Sequence, residues 1–413
     1  MIPRKIESKL IKYLDNFKIV VVSGARQTGK STLVKYIAGK RGLNYVSFDT
    51  AKYRNLASSD TEVFLKQQQP PIAIDEVQKV PQIIEEIKYI ADNSPGNGQF
   101  LLTGSVDLLA SPRIKESLTG RVAFIELFPF ATSELKNREY NLIDCLFDKT
   151  IFDWISSYDI NIEKIADTLW HGRFPVPMTL DREMTFSWFE TYIRTRVLKD
   201  FNDLTQKSLH KAYTVERLIE LLSYQTASLL NVSNIAKDLK VHPMTAKNYI
   251  YYLEKLFIIK QLRPFYRNIG KQVTKKTKLY FIDTGLAANM LGLSVEQLLE
   301  KGKAFGQLLE NFIYLELIKE MSFSSQQYKI YYYRDDKANE IDFIIKNRFG
   351  KFIAIEVKSK SVVKPADLVG IKSFYNRYGK DLLYAYVFFG GSEVSALKLG
   401  DLTVYLLPYA ALF

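Results

Sequence analysis

The sequence predicts an α/β protein with three parts: a parallel-sheet domain at the amino end, a helical middle that includes a winged helix, and a second α/β domain at the carboxyl end. Short apolar segments that alternate with helical periodicity predict the first part. A helix-turn-helix pattern followed by a strand predicts the winged helix, and a run of three strands predicts the last part. The expected domains span residues 1–155, 156–228, 229–280 and 281–413, and residues 156–228 are expected to form a helical lid or linker.

Length and composition limit the class of protein. The chain has 413 residues, more than one hydrophobic core usually supports, so two to four domains are expected. Its 47% of hydrophobic and 25% of charged residues are typical of a globular protein. No apolar run approaches the roughly 18 residues that a membrane-spanning helix needs, and charges interrupt the amino-terminal segment, unlike a signal peptide. Because the one cysteine, Cys145, cannot form an internal disulfide, we expect a cytoplasmic protein with no membrane partner.

A glycine-rich loop follows the first predicted strand, Lys18 to Ser23. The sequence GARQTGKST matches G-x-x-x-x-G-K-[ST], and a helical pattern comes directly after it. Glycines at these positions let backbone N–H groups close around a polyphosphate at a helix N-terminus. We therefore expect ATP and Mg²⁺ as cofactors. The catalytic Lys30 is expected to bind the β and γ phosphates, and the Ser31 hydroxyl is expected to bind the metal. The expected nucleotide-binding residues of this loop are Gly24, Ala25, Arg26, Gln27, Thr28, Gly29, Lys30, Ser31 and Thr32.

Two adjacent acids end a second apolar strand, Ile72 to Ile74. An aspartate in this place can bind magnesium through water, and the next glutamate can orient the attacking water as a base. We therefore expect Asp75 to bind nucleotide and metal and Glu76 to be catalytic. A cap for the following helix is the plainer alternative for this pair.

Three further predicted strands, at residues 43–49, 99–105 and 121–127, complete a five-stranded parallel sheet with helices on both faces. Polar residues end the strand at 99–105. Thr103 and Ser105 are placed there to sense the γ-phosphate, and Ser105 fits equally well as the cap of the next helix.

These segments together resemble a known family. GARQTGKST, IAIDEVQ, LLTGS and SLTGRVAFIELFPFATSE are similar to segments of the AAA-type ATPases of bacteria and archaea that carry a C-terminal domain called DUF4143. HGRFP, YIRTRVLKDF, KLYFIDTGLAANMLG and GQLLENFIYLEL extend the likeness over nearly the whole chain. Arg121, in the segment ESLTGR, is expected to act as a catalytic arginine finger toward a neighbouring subunit, with a surface charge as the alternative. Membership of the family favours the finger and implies a homo-oligomer. The family often has two glycines in the HGRFP segment, and His171, which replaces the first, is assigned no role.

The middle of the chain contains the winged-helix pattern. Ser233 can cap a short helix, KVHP makes a turn, residues 245–256 make a second helix, and FIIKQLRPF returns as a strand. If this module meets DNA, the start of the second helix enters the major groove. A plain protein-contact domain is the alternative. The residues expected near the bases are Met244, Thr245, Lys247 and Asn248.

The charge of the chain favours DNA as a partner. It has 57 basic and 45 acidic residues, a formal net charge of +12, which is compatible with nucleic acid but does not establish it. The distribution is more specific, because the segment 255–278 contains no acid and is expected to lie on the phosphates. Its basic residues are Lys255, Lys260, Arg263, Arg267, Lys271, Lys275, Lys276 and Lys278.

The last third contains strands at residues 329–333, 340–345 and 351–358, with a turn at 347–350. Pairing Ile344 with Ala354 places Asp342 directly opposite Glu356 across the turn. Like charges in that position are unfavourable by up to ~1 kcal/mol unless something neutralises them. Mg²⁺ or Mn²⁺ would do so, and a neighbouring lysine could do so as a structural ion pair without a metal.

These two acids and the lysine are similar to the D…E-x-K motif of the PD-(D/E)xK nuclease superfamily, which has a restriction-endonuclease-like fold. The resemblance implies that Asp342 and Glu356 are catalytic metal ligands and that Lys358 is the third catalytic residue. It also implies a metal-binding glutamate on the preceding helix, where Glu310 lies. In those enzymes the metal activates a water for attack on a phosphodiester.

Two functions therefore compete. In the first, an oligomer binds and hydrolyses ATP and acts on or with DNA, coupled to metal-dependent cleavage by the C-terminal domain. In the second, a nucleotide-dependent switch binds DNA or a partner protein through its C-terminal parts and cuts nothing. A scaffold that binds ATP without turnover is disfavoured, because Asp75 and Glu76 are both present.

Overall fold

The chain folds into two compact units in a computed structural model that describes residues 2–105, 120–205, 212–266, 276–300 and 302–413. The N-terminal unit comprises Met1–Phe130, Phe174–Val176 and Lys255–Ile258, and the C-terminal unit comprises Ala131–Arg173, Pro177–Glu254 and Ile259–Phe413. Both units are α/β, as predicted. Within the described ranges, no helix is long and apolar enough to cross a bilayer.

A five-stranded parallel sheet forms the N-terminal unit, as predicted, in the order β2-β3-β4-β1-β5. Its strands are β1 (Ile19–Ser23), β2 (Asn44–Ser47), β3 (Ile72–Asp75), β4 (Phe100–Gly104) and β5 (Val122–Glu126). Its helices are α1 (Glu7–Asn16), α2 (Lys30–Arg41), α3 (Ala51–Ser59), α4 (Thr61–Gln68) and α5 (Ile83–Asn93), with a 3₁₀ turn at Val77–Lys79. Since the strands run the same way, the residues that follow β1, β3 and β4 meet at one edge of the sheet.

The winged helix, apart from Lys255–Ile258, belongs to the described part of the C-terminal unit and has the predicted order of elements. It consists of α12 (Ala212–Ser223), β6 (Ser228–Leu229), α13 (Val232–Asp238), α14 (Pro243–Lys255), β7 (Ile259–Leu262) and β8 (Lys278–Phe281), with sheet order β6-β8-β7. The expected cap Ser233 was wrong. Asn231 caps α13, because its side-chain oxygen accepts a hydrogen bond from the Asn234 N–H at 3.2 Å, and Ser233 lies in the first turn.

Further helices surround this module. They are α6 (Thr132–Leu135), α7 (Leu142–Asp148), α8 (Ile151–Trp154), α9 (Ile162–His171), α10 (Arg182–Tyr192), α11 (Leu198–Thr205), α15 (Thr284–Met290), α16 (Val295–Leu299), α17 (Lys303–Phe323) and α18 (Val369–Tyr378). A π-helical turn at Ile193–Val197 joins α10 to α11, and 3₁₀ turns lie at Pro177–Thr179, Pro365–Leu368 and Tyr409–Leu412.

A mixed six-stranded sheet forms the carboxyl end, in the order β13-β14-β12-β11-β10-β9. Its strands are β9 (Tyr328–Arg334), β10 (Glu340–Asn347), β11 (Phe352–Lys358), β12 (Leu382–Phe389), β13 (Ser395–Leu399) and β14 (Leu402–Pro408). The predicted hairpin is present, and Ile344 pairs with Ala354 as expected. Asp342 lies just beyond the last ladder pair, Phe343 with Ile355, at the open end of the hairpin.

The segment after β7 joins the winged helix to this sheet. The Phe265 N–H donates to the Tyr332 carbonyl at 2.6 Å, and the Tyr332 N–H donates to the Arg263 carbonyl at 3.1 Å. The Phe265 ring then enters the core of the sheet, where its centroid lies 5.0 Å from that of Phe352 and 5.6 Å from that of Phe374. An aromatic residue within the basic run is thus a core residue.

Two motifs that carry the family resemblance pack against each other. A Cβ atom on Gly172 would lie 1.9 Å from Asp283 Oδ1, and one on Gly285 would lie 2.5 Å from the His171 carbonyl oxygen. Asp283 caps α15 through the Leu286 N–H at 3.1 Å. The glycines of HGRFP and FIDTG are therefore needed for close packing.

Candidate functional sites

The glycine-rich loop lies at the carboxyl edge of the parallel sheet, between β1 and α2. Gly24 has φ +145, and a Cβ there would lie 2.3 Å from the Leu127 carbonyl oxygen, so only glycine fits. Gly29 has φ +95 and precedes the first residue of α2. Lys30 is buried, and its Nζ donates to the carbonyls of Gly24 at 2.9 Å and Ala25 at 2.7 Å. The loop thus encloses the lysine that was predicted to reach the phosphates.

Arg4 supports this loop from the amino end of the chain. Its Nη1 donates to the Thr28 carbonyl at 2.9 Å, and its Nη2 donates to the Phe128 carbonyl at 2.7 Å. The guanidinium also lies over the Phe130 ring, 4.6 Å from the centroid. No motif marks Arg4, and sequence reasoning missed it.

Asp75 is the centre of a hydroxyl network at the end of β3. Its Oδ1 accepts hydrogen bonds from Ser31 Oγ at 2.9 Å and Thr103 Oγ1 at 2.5 Å. Its Oδ2 accepts from Tyr45 at 3.2 Å and Ser47 at 3.1 Å. Burial, with the charge of Asp75 second, raises the pKa of Tyr45, which keeps this hydroxyl a donor. A hydroxyl beside a carboxylate is a donor set that Mg²⁺ accepts, so Ser31 and Asp75 fit the predicted ion.

Glu76 follows Asp75 in a strained backbone conformation. Its φ is +58, in the left-handed region that residues other than glycine rarely adopt, and such strain is concentrated at functional sites. Its Oε2 accepts from Gln78 Nε2 at 2.5 Å and from Ser105 Oγ at 3.5 Å, and it lies 3.9 Å from Arg26 Nη1. The Glu76 N–H donates to Thr103 Oγ1 at 3.0 Å. Gln78 was missed by the sequence reasoning, although it lies in the same IAIDEVQ segment.

The remaining residues of the predicted nucleotide site have distinct surroundings. Gln27 has φ +62, and Thr28 Oγ1 donates to the Ala25 carbonyl at 2.9 Å. Thr32 is exposed and, with Ser31, lines a cleft of about 400 Å³. Ser105 is buried and accepts from Gln78 Nε2 at 3.0 Å. The helix that Ser105 was alternatively expected to cap lies outside the described residues.

Arg121 lies at the other edge of the sheet. Val122, the next residue, pairs with Ile19 at the start of β1, whereas the glycine-rich loop follows Ser23 at the end of β1. The Arg121 guanidinium forms an ion pair with Asp92 on α5. A parallel strand of this length separates the two edges by roughly 13 Å. Arg121 therefore lies away from the nucleotide site of its own subunit, and a role toward a neighbouring subunit stays a prediction.

A lysine lies among the acids of the C-terminal sheet. Lys278 Nζ is 3.0 Å from Glu310 Oε1, 2.5 Å from Glu340 Oε1 and 3.1 Å from Asp342 Oδ1. Its side chain is 3% exposed. Burial lowers the pKa of this ammonium, but the charges of the three acids outweigh burial and hold the pKa well above its usual range. The prediction that Lys278 contacts DNA phosphates was therefore wrong.

The position of Lys278 next to Glu310 follows from the alternation of side chains along β8 and from the contacts of Asn311. Lys278 and Tyr280 share a face of β8, and the Tyr280 hydroxyl donates to Glu310 Oε1 at 2.7 Å. Asn311, the next residue of α17, accepts from the Phe281 N–H at 2.7 Å and donates to the Phe281 carbonyl at 3.0 Å. The amide thus pairs with β8 as a neighbouring strand would, and it fixes Glu310 beside Lys278.

Glu356 and Lys358 form a second pair, with Lys358 Nζ 2.7 Å from Glu356 Oε1. Glu356 Oε2 is buried with no hydrogen-bond partner among the described residues. Asp342 Oδ2 accepts from the Val357 N–H at 2.9 Å. Burial, and then the charge of Asp342, raise the pKa of Glu356 to about 8 and that of Glu310 to about 7. The predicted nuclease residues are close together, and burial disfavours the ionised form of Glu310 and Glu356.

This arrangement does not fit a metal ion. In the described ranges, no group of three or more His, Cys, Asp or Glu side chains is placed to hold one. The predicted ligands Glu310 and Asp342 both contact the Lys278 ammonium instead. We name the set of Glu310, Glu340, Asp342 and Lys278 the acidic centre.

The predicted DNA-reading surface is accessible. Met244, Lys247 and Asn248 are exposed near the start of α14, and Thr245 is half-buried. In the basic run, Arg263 and Lys276 are exposed, and Lys255 and Lys260 are half-buried. The residues Arg267, Lys271 and Lys275 lie outside the described part of the chain.

Comparison with known proteins divides the chain into three matched segments. Residues 16–136 match the family of AAA domains, residues 162–297 match a domain of unknown function, DUF8612, and residues 305–412 match the domain of unknown function DUF4143. Two relatives are uncharacterised proteins of Mycobacterium bovis and Mycobacterium tuberculosis, each 26% identical over 365 residues, or 87% of this chain and 74% of the relative. An uncharacterised protein of Haemophilus influenzae is 25% identical over 335 residues, or 75% of this chain and 77% of the relative.

Among solved structures, a Walker-type ATPase of Pyrococcus abyssi has 14% identity and a TM-score of 0.45, over 70% of this chain and 96% of that chain. AMPPCP-bound DnaA from Aquifex aeolicus has 11% identity and a TM-score of 0.28, over 60% and 86%. The glycine-rich loop, the acids after β3 and the parallel sheet lie in the segment that matches AAA domains. The chain therefore carries an AAA domain at residues 16–136 and a C-terminal DUF4143 domain at residues 305–412.

Proposed function

We propose that the protein hydrolyses ATP at the carboxyl edge of its parallel sheet and acts with DNA as a nucleotide-dependent switch. The hydroxyl network of Asp75 carries this proposal, because it brings Ser31 of the loop to 2.9 Å from the acid that ends β3. Lys30 binds the β and γ phosphates, Ser31 and Asp75 hold Mg²⁺, and Glu76 accepts the proton of the attacking water. The bound magnesium supplies neutralising charge to the phosphates.

Phosphate release and nucleotide binding, measured together, test this assignment. We expect Lys30→Ala to lose ATP binding, and Glu76→Gln to keep binding while turnover falls by about 10²-fold or more. Lys40→Ala is the matched control, since Lys40 lies on the same helix with its ammonium on Glu7 at the surface. Phosphate release at the same background rate in the wild type and Glu76→Gln would support a scaffold that binds ATP without hydrolysis, and clear turnover that Glu76→Gln leaves unchanged would exclude Glu76 as the base.

Arg121 is proposed to complete the site of a neighbouring subunit. Its position at the far edge of the sheet supports action in trans rather than in cis. Arg121→Ala alone is expected to lose turnover while keeping ATP binding. Mixing it with Lys30→Ala should restore part of the activity, because some interfaces then pair an intact loop with an intact arginine. If mixing restores nothing in a protein of wild-type oligomeric state, the finger is excluded.

DNA contact is proposed for the winged helix, whose second helix α14 exposes Met244, Lys247 and Asn248 at its start. Replacing Lys247 and Asn248 by alanine should weaken binding of duplex DNA in a fluorescence-anisotropy titration. Replacing Arg263 and Lys276 should also flatten its salt dependence. Lys237→Ala on α13 is the control for the Lys247 and Asn248 variant, because each removes one positive charge from an exposed position. Equal affinities for all variants would favour a protein partner.

Of the two hypotheses for the C-terminal domain, the geometry favours the one without cleavage. The acid positions that bind metal in the nucleases are balanced by Lys278 and Lys358. Supercoiled plasmid incubated with the protein, ATP and Mg²⁺ or Mn²⁺ is expected to stay intact. Nicking by the wild type that Glu356→Ala abolishes would establish the nuclease instead.

A further inference from the structure

Lys278 is the cation that all three acids of the acidic centre share, and Glu340 also contacts Arg334 Nη1 at 3.0 Å through its other oxygen. Lys278 Nζ lies 2.5 to 3.1 Å from one oxygen each of Glu340, Glu310 and Asp342, which are the distances of charge-assisted hydrogen bonds. A buried ammonium is tolerated when carboxylates pair with it, and these three supply that pairing. The acids in turn need a positive charge, because they converge on one point.

The lysine and a divalent ion exclude each other from this point. Mg²⁺ binds carboxylate oxygens at about 2.0–2.1 Å, so an ion on Glu310 and Asp342 would overlap the Nζ that already contacts both. The backbone prevents an easy exchange. Leu229 and Leu262 flank Lys278 in the ladders of β8, and Asn311 holds Phe281 at the other end of the strand.

The approach to the centre is also positive. A cleft of about 330 Å³ beside it is lined by Lys303, Lys358 and Lys360 together with Glu310. Three lysines and one glutamate line this cleft, so its charged lining repels a divalent cation on balance. The cleft therefore disfavours the ion that the nuclease motif predicts.

We infer that Lys278 is the resident cation of the acidic centre and occupies the place that a divalent metal takes in the nucleases that this domain resembles. The centre is complete without metal, and its positive charge is supplied by the chain. Removing this one ammonium leaves Glu310 and Asp342 without their shared partner, whereas Glu340 keeps Arg334 Nη1 at 3.0 Å. Two carboxylates without a cation have the ligand chemistry that Mg²⁺ and Mn²⁺ prefer. The substitution Lys278→Met, which keeps the length of the side chain without its charge, is therefore expected to create a metal site.

Metal binding by the nucleotide-free full-length protein tests the inference. Mn²⁺ titrations followed by electron paramagnetic resonance count the bound ions in four variants: wild type, Asp342→Asn, Lys278→Met and the double variant. Wild type and Asp342→Asn are expected to bind the same number. Lys278→Met should bind one more Mn²⁺, and the double variant should lose it. Lys303→Met is the matched control, because it removes a lysine of the cleft and leaves the acidic centre unchanged. This variant should bind no additional Mn²⁺.

Each outcome decides the question. Loss of one Mn²⁺ when Asp342→Asn is introduced into the wild type overturns the inference, and this comparison does not depend on the folding of Lys278→Met. If that variant unfolds without metal, Mn²⁺ should raise its thermal midpoint and leave the wild-type midpoint unchanged; no such rise counts against the inference. The inference extends the proposed absence of cleavage, yet the two can fail separately. A wild type that nicks DNA while binding no metal here would overturn only the proposed function.

Discussion

Gln78 Nε2 lies 2.5 Å from Glu76 Oε2 and 3.0 Å from Ser105 Oγ, so one amide connects the proposed base with the polar end of β4. The amide aims a carboxylate whose backbone is itself strained at φ +58. Gln78→Ala should therefore lower kcat by roughly 10-fold or more through misplacement of the base. The KM for ATP should stay within about twofold, since Gln78 touches none of the loop residues in these contacts.

Steady-state ATP hydrolysis measures both constants for Gln78→Ala. Gln82→Ala is the control, because Gln82 is exposed one turn further along and its side chain does not cap α5. Gln78→Glu, which keeps the length but replaces the donor by a second acid, should be as inactive as the alanine variant. An increase of KM alone would assign Gln78 to nucleotide binding rather than to positioning.

Gly24→Ala is expected to destabilise the N-terminal unit and to abolish nucleotide binding. The new Cβ would lie 2.3 Å from the Leu127 carbonyl oxygen, and the backbone would carry an alanine at φ +145. Together these effects cost about 3 kcal/mol or more. Gly39→Ala is the matched control, because a Cβ at Gly39 meets nothing within 4 Å, and alanine should stabilise α2 by about 0.5–1 kcal/mol. Urea unfolding of both variants measures the difference, and equal stabilities would contradict the predicted clash.

Phe265→Ala is expected to lower the free energy of unfolding of the C-terminal unit by about 3–5 kcal/mol. The ring is 4% exposed and packs edge-on against Phe352 and Phe374, so its removal leaves a cavity in the sheet core. Phe349→Ala removes the same ring from a turn position that is 70% exposed, and it should change stability by less than about 0.5 kcal/mol. Chemical denaturation followed by far-UV circular dichroism separates the two. A small effect at Phe265 would place this residue outside the core.

Stability should depend on pH through Glu356. Folding raises the pKa of this carboxyl to about 8 from an ordinary 4.5, so the folded protein binds the proton more tightly than the unfolded chain. The contribution is therefore fully present below pH 4.5 and is lost as the pH rises through 8. Glu356→Gln keeps a neutral side chain at every pH. Its stability relative to the wild type should increase between pH 5 and 8 by on the order of a few kcal/mol.

Thermal unfolding at a series of pH values gives this difference. The exposed Glu393→Gln is the control and should follow the wild-type profile. A Glu356→Gln profile parallel to that of the wild type would mean that the carboxyl is ionised in the folded protein throughout the range.

The nucleotide loop and the hairpin register could be predicted because both are local. Gly24 and Gly29 belong to a motif of eight consecutive residues, and both have positive φ in the structure. The pairing of Ile344 with Ala354 follows from two-residue alternation on either side of one turn, and it is confirmed as well.

Contacts between distant segments could not be predicted in this way. Lys278 reaches Glu310 and Asp342, which are 32 and 64 residues away in the sequence. A basic run does not reveal which of its lysines points inward, because that depends on the element that faces the strand. Arg4 and Phe128, 124 residues apart, illustrate the same limit at the nucleotide loop. Asn231 displaced Ser233 as the cap of α13, since two good capping residues two positions apart leave the first residue of the helix undecided.

The ammonium of the acidic centre belongs to a different segment from its carboxylates. Lys278 lies on a strand of the winged helix, whereas Glu310, Glu340 and Asp342 lie within residues 305–412, the segment that matches DUF4143. A fragment cut at that family boundary would keep the three acids and the Arg334 partner of Glu340, but it would lose the ammonium that Glu310 and Asp342 share. The boundary recognised by sequence similarity therefore separates buried acids from the lysine that neutralises them. The smallest self-sufficient form of this domain includes the strand that precedes it.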